Sequence, residues 1–129
     1  MRYLLGMAQM FGAFAGVMAA HSMFGLPTLG EGLGEIITTF SLVVVIALAS
    51  KFHVDAIPMV VAAFITSAYL FTSSTSLANP AVTFARAMTK TFAGISPQSV
   101  ANFIGGQIIG AVMATLVAGW LAPADSNRQ

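Results

Sequence analysis

The sequence predicts an all-α integral membrane protein with four membrane-spanning helices and one re-entrant half-helix. Three observations lead there. Of its 129 residues, 57% are hydrophobic and only 7% charged, with a mean hydropathy of +0.88. Four runs, residues 2–24, 34–50, 56–71 and 100–121, are long and apolar enough to span a bilayer. Between the third and fourth, residues 76–86 read Ser-Leu-Ala-Asn-Pro-Ala-Val-Thr-Phe-Ala-Arg, a helix start followed by a stretch too short to cross.

The first run competes with a signal peptide, because Arg2 makes a basic start and Ala19 and Ala20 are small residues where cleavage would fall. A span is favoured, since the apolar stretch exceeds an h-region of about 7 to 15 residues and contains Gln9. Residues 25–33, rich in Gly and Pro, are expected to be an interfacial loop before the second span. The polar turn at residues 51–55, with Lys51, His53 and Asp55, then leads into the third span, which is short unless it continues into Thr72.

At the motif, Asn79 suits an N-cap, Pro80 the first helical position, and Ala81 onward propagates helix. A half-helix is expected over residues 80–92, rising roughly 20 Å against a hydrocarbon core of roughly 30 Å. Its N-terminus at membrane depth offers unpaired N–H groups and partial positive charge, which attract lone pairs and repel cations. Asn-Pro also opens many soluble helices, so the tripeptide means little outside this apolar setting. The fourth span ends in a polar tail, residues 123–129.

Composition also excludes function classes. The net charge is +1 without a basic cluster, so neither nucleic acid nor an electrostatic membrane patch is suggested. Cysteine is absent, which removes disulfides, thiolate metal sites and cysteine nucleophiles while leaving the compartment open. His21 and His53 lack ligand spacing, so no metal or cofactor is expected. No clustered acid, base, nucleophile or phosphate loop supports an enzyme.

The first and last spans share a pattern: Ala8, Gln9, two apolar residues, Gly12, Ala13 against Gly106, Gln107, two apolar residues, Gly110, Ala111. An internal repeat explains the likeness. So does shared packing chemistry, because Gly12 with Gly16 and Gly106 with Gly110 have the spacing that lets membrane helices approach closely.

Together, Gly34 to Phe40 (Gly-Glu-Ile-Ile-Thr-Thr-Phe), the Asn79-Pro80-Ala81 box and the two Gln-x-x-Gly-Ala segments resemble the aquaporin and aquaglyceroporin superfamily, through nearly all of the chain. The resemblance implies an aquaporin-like fold of two inverted repeats, each with three spans and a half-helix, whose Asn-Pro-Ala boxes meet at mid-membrane. This chain holds a single box. The expected arrangement is one membrane domain over residues 1–129, with 2–24 the last span of a truncated first repeat and 34–121 the second repeat. Val82 and Thr83 after the box resemble the family's first box more than its second, where Arg usually follows Ala. The first-repeat alternative lacks the family's Gly-Ala-His lead-in and leaves residues 2–24 without a role.

The resemblance also implies site residues. Asn79 offers side-chain N–H groups to a passing oxygen, and Pro80 and Ala81 pack the box. Glu35 resembles the buried carboxylate that accepts backbone N–H bonds from the re-entrant loop. A Glu in the first helical turn also suits the macrodipole, and it can snorkel to the interface. Ser67, Ser76 and Val82 fall where the family places its selectivity constriction. Val82 in place of Arg removes a fixed cation and several donors, which argues against strict water selectivity. Thr83 and Ala87 stand where glycerol-conducting members usually carry Asp and a basic residue. Arg86, beside Lys90, is read as facing solvent or headgroups rather than replacing the missing cation.

Two functions remain from this reading. One is a passive channel, or part of one, for small neutral solutes such as water, glycerol-like polyols or metalloid acids, tetrameric as the family is or completed by a missing first-repeat half. The other is a non-conducting remnant. The lipid bilayer is the implied partner, with a bacterial inner membrane the expected location. Arg2, Lys51 and Arg128 fall on one face and Arg86 and Lys90 on the other, which places both termini in the cytoplasm. Tyr3 and Trp120 then share an interfacial level.

Overall fold

The computed structural model describes residues 2–25 and 27–121. Their regular structure is all helical: α1 (Arg2–Gly25), α2 (Pro27–Phe52), a 3-10 turn (Val54–Ala56), α3 (Ile57–Phe71), α4 (Pro80–Ala87), a second 3-10 turn (Pro97–Ser99) and α5 (Val100–Leu121). Three stretches, Leu29–Phe52, Val54–Phe71 and Pro97–Leu121, are long and apolar enough to cross a membrane, with mean hydropathies of 2.1, 1.8 and 1.7. The first expected span falls on α1, which has the length at 24 residues, although the side chains of residues 2–6 lie outside the described residues.

The Gly/Pro-rich segment at 25–33 is not the expected loop. The second span starts at Pro27 and α2 runs unbroken through Gly30, Gly32 and Gly34. These glycines serve close approach rather than turning: a Cβ on Gly32 would meet Asn102 Oδ1 at 2.6 Å, and one on Gly34 would meet Ser74 Oγ at 2.9 Å. The third span gains its extra length at the front, from Val54–Ala56, and not at Thr72. Thr72 turns extended at ψ 143°, while its N–H and hydroxyl both donate to Ala68 O and close the helix.

The core is the crossing of α2 and α5. Buried positions on α5, namely Phe103, Gly106, Gln107, Gly110, Ala114 and Ala118, recur at helical spacing and form one stripe. Apart from Phe103 that stripe is small or polar, whereas Ile108, Val112 and Leu116 are exposed. Such inside-out amphipathicity belongs to a helix whose outer face meets lipid and whose inner face meets backbone. A Cβ on Gly106 would lie 2.6 Å from Gly32 O, and one on Gly110 would lie 2.5 Å from Ile36 O, so the two backbones touch. Thr38 and Thr39 Oγ1, buried on α2, have no hydrogen-bond partner among the described residues, whereas other hydroxyls in the spans are satisfied locally. Ser50, Thr66, Ser67 and Thr115 each donate to the carbonyl four residues back, the bond available where no water reaches.

α1 packs mainly on α2 around their shared corner, where Met23 is buried. Farther along it exposes Met10, Phe11 and Phe14, and Gly12 and Gly16 have nothing within 4 Å. The side chains of Arg2 and Tyr3, together with Arg128 and the tail at 123–129, lie outside the described residues, so the charge and aromatic-belt expectations rest on Lys51, Arg86, Lys90 and an exposed Trp120.

Candidate functional site

The chain order sets the site's depth. α2 leads inward from one face, α3 returns to that face, and residues 72–79 fold back between them before α4 heads out again. Glu35 lies eight residues beyond Pro27, about 12 Å along α2 at ~1.5 Å per residue, close to the middle of a roughly 30 Å core. It is therefore not in the first helical turn. With 0% exposure it neither caps the helix end nor snorkels.

Its carboxylate organises the loop. Oε1 accepts from Leu77 N at 2.9 Å and Oε2 from Ala78 N at 2.8 Å, while Gln107 Nε2 donates to Oε2 at 2.6 Å. Three donors share one ionisable group, the arrangement a buried carboxylate requires to offset lost hydration. Gln107, 3% exposed, also donates to Thr83 Oγ1 at 2.9 Å, and Thr83 Oγ1 donates to Asn79 O at 3.1 Å. One network thus ties α2, α5, the loop and α4.

The loop needs this tethering. Thr75, Ser76 and Ala78 have φ of 56°, 57° and 46°, left-handed conformations adopted without glycine. Ser73 Oγ donates to Gly30 O at 2.9 Å, and Arg86 Nη1 donates to Thr75 Oγ1 at 3.2 Å. Strain of about 1 to 3 kcal/mol at each such residue persists only when the surroundings over-determine the backbone.

Asn79 sits at φ −154°, ψ 120° as the N-cap of α4, its Oδ1 accepting from Ala81 N at 2.9 Å. Pro80 has no N–H and that of Ala81 is taken, which leaves Asn79 Nδ2, exposed and without a partner among the described residues, as a side-chain amide donor beside the tip. The half-helix ends at Ala87 rather than at the expected residue 92. Met88 N bonds back to Ala85 O and Arg86 O, and Thr89 N and Ile95 N also reach Arg86 O, so the chain curls over the last turn instead of extending it. β-branched Thr89 and Thr91 and then Gly94 give little helical propensity to resist that curl.

The remaining expected site residues are dispersed. Ser67 is exposed on α3 and donates to Ala63 O, Val82 is exposed on α4, and Ser76 is buried with its Oγ unpartnered. No hydrogen bond joins Ser67 to Ser76 or Val82. Arg86 does not face solvent as expected: half-buried, it turns to the loop through Thr75. The bridging roles of Gln107 and Thr83 were missed, although both stand within recognised motifs. The signal was their polarity inside otherwise apolar helices, which in a membrane interior demands a partner.

An all-helical membrane fold with a half-length helix anchored inside a helix crossing defines a protein of the re-entrant half-helix class. No family model matches the chain, and no solved structure matches it. It is 43% identical over 124 aligned positions to aquaglyceroporin AqpS of Rhizobium meliloti (strain 1021), an alignment that takes in 88% of this chain and 53% of the relative. The chain belongs to the aquaporin superfamily and is an integral membrane protein. It spans about half the length of the curated relative it matches.

Proposed function

We propose that this chain forms, or forms part of, a passive transmembrane channel for small neutral solutes such as water, glycerol-like polyols or metalloid acids. The observation that carries the reading is the short helix Pro80–Ala87, whose Asn79 tip is tied near mid-depth through Glu35, Gln107 and Thr83. In this reading a solute oxygen accepts from Asn79 Nδ2 as it passes, while the positive end of α4 opposes cations. Val82 leaves the neck without a fixed positive charge, so hydroxylated solutes larger than water pass. Ser67, Ser76 and Val82 remain the proposed constriction. Residues 34–121 form the second repeat and 2–24 the last span of the first. A tetramer in a bacterial inner membrane is the proposed setting, and the relative's bacterial source supports the location.

A second reading, a half-channel that needs a separate partner or a non-conducting remnant, is favoured by one observation: Gly12 and Gly16 of α1 have nothing packed against them. Stopped-flow light scattering on vesicles holding the purified chain separates the two. Water or glycerol flux above empty vesicles, lost in Asn79→Asp, supports the self-sufficient channel. Background flux from folded, inserted protein supports the second reading.

A further inference from the structure

Beside the half-helix lies a half-open cavity of about 220 Å³, lined by Glu31 on α2, Tyr69 on α3, Thr75 of the loop, Arg86 on α4 and Ala93 of the curl after it. Two opposite charges face this one space without meeting. We propose that the Arg86 side chain is a two-position latch: resting on Thr75, as observed, it leaves the cavity open, and paired with Glu31 it closes it. The physiological meaning of the latch rests on the channel reading, in which the half-helix borders the pore, while the latch itself is tested without flux.

Glu31 and Glu35 stand one turn apart on the same face of α2, yet their surroundings differ. Glu35 accepts from three donors, whereas Glu31, half-buried, has no hydrogen bond or ion pair among the described residues. Across the cavity Arg86, also half-buried, uses one of its five N–H donors, on Thr75 Oγ1 at 3.2 Å. A round cavity of that volume is about 7.5 Å wide, a gap that a long Arg side chain crosses by changing rotamers. The attraction between the two charges grows as the gap narrows and water leaves it. A carboxylate also takes two parallel charge-assisted bonds from a guanidinium, where the Thr75 hydroxyl takes one neutral-acceptor bond. Removing water from both charges opposes closing, which keeps the two positions in balance.

The surrounding backbone allows the side chain to move alone. Arg86 O accepts from Met88 N, Thr89 N and Ile95 N, so the main chain at the end of α4 is held by the curl. At the other end Thr75 belongs to a loop tethered separately, through Glu35 to Leu77 and Ala78 and through Ser73 to Gly30 O. Giving up the Arg86 bond therefore leaves both walls of the cavity in place.

The chain has no cysteine, so one introduced thiol reports on the cavity by itself. The test follows the rate at which a small uncharged maleimide modifies the full chain carrying Ala93→Cys in lipid nanodiscs. A balanced latch is closed about half the time, so Glu31→Gln or Arg86→Gln, each added to Ala93→Cys, should raise that rate about twofold by removing the closed position. Their direct effects on the thiol are opposite, since losing Glu31 favours the thiolate and losing Arg86 disfavours it. A rise in both therefore reports access and not reactivity. Thr75→Val releases Arg86 to Glu31 and should slow the rate, and the exchanged pair, Glu31→Arg with Arg86→Glu, should return it to that of Ala93→Cys alone. Anything other than a rise in both Gln variants overturns the latch, as does a fast rate in the exchanged pair, which would mean general loosening of the fold. A working latch without solute flux counts against the channel reading alone, and flux without the latch counts against this inference alone.

Discussion

Glu35 shows what one side chain does in a membrane interior. Its oxygens take two backbone N–H groups from a loop 42 and 43 residues away and an amide from 72 residues away. Glu35→Gln keeps the shape but sets an amide donor against one of those donors. A loss of about 1.5 to 3 kcal/mol follows, the range for a hydrogen bond to a charged group, measurable as a lower thermal midpoint in detergent, with flux lost if the loop releases. Gln107 softens the effect, because its Oε1 has no partner and can accept after an amide flip. Thr83→Val isolates a single bridge. It removes a fully buried hydroxyl at nearly constant volume and should cost about 1 kcal/mol in the same measurement. A thermal midpoint equal to that of the unmodified protein would refute the network's role in stability. The partners could not be read from the sequence: a carboxylate near a helix start suits the dipole, the interface or a distant loop equally well, and only the observed distances separate these.

At the scale of elements, helix existence was legible and helix function less so. Hydropathy marked the apolar runs, and Asn79-Pro80 marked a helix start, because both signals are local. The Gly/Pro segment at 25–33 misled, since glycine serves turns and backbone contact alike. Here it serves contact, and Pro27 at the first helical position starts α2 rather than breaking it. The α2–α5 crossing gives a sharp pair of predictions. Gly110→Leu places a side chain where a Cβ already falls 2.5 Å from Ile36 O, so the helices must part, at a cost above about 3 kcal/mol and with loss of the folded state in detergent. Gly119→Ala, where nothing lies within 4 Å, should be neutral or raise stability by about 0.5 to 1 kcal/mol through helix propensity. Similar losses from both substitutions would mean that the crossing is not held by glycine contact.

For the molecule as a whole, the proposed constriction is tested by flux. Val82→Arg in a conducting assembly restores a fixed cation and narrows the neck. Glycerol flux should fall more than water flux in paired stopped-flow measurements, and an equal fall would sink the constriction assignment. The exposed face of α1 belongs to this scale too. Its Gln9, Gly12 and Gly16 mirror Gln107, Gly106 and Gly110 in type, yet the α5 set is buried against α2 while the α1 set stands open. Identical local chemistry has two fates, which is why the repeat pattern alone could not separate common ancestry from common packing.

By itself the sequence determined the solvent and the family: apolar runs of spanning length require lipid, and the Asn-Pro-Ala box with its Glu and Gln-x-x-Gly-Ala companions marks aquaporin kinship. It also set the start of the half-helix, because capping depends on neighbouring residues. Tertiary structure alone decided where that helix stops, which face Arg86 takes and that Glu35, Gln107 and Thr83 form one network. The reason is physical. Caps and hydropathy act over a few residues, whereas a buried polar group is satisfied by whichever donor the fold brings within about 3 Å, and here that donor lies dozens of residues away.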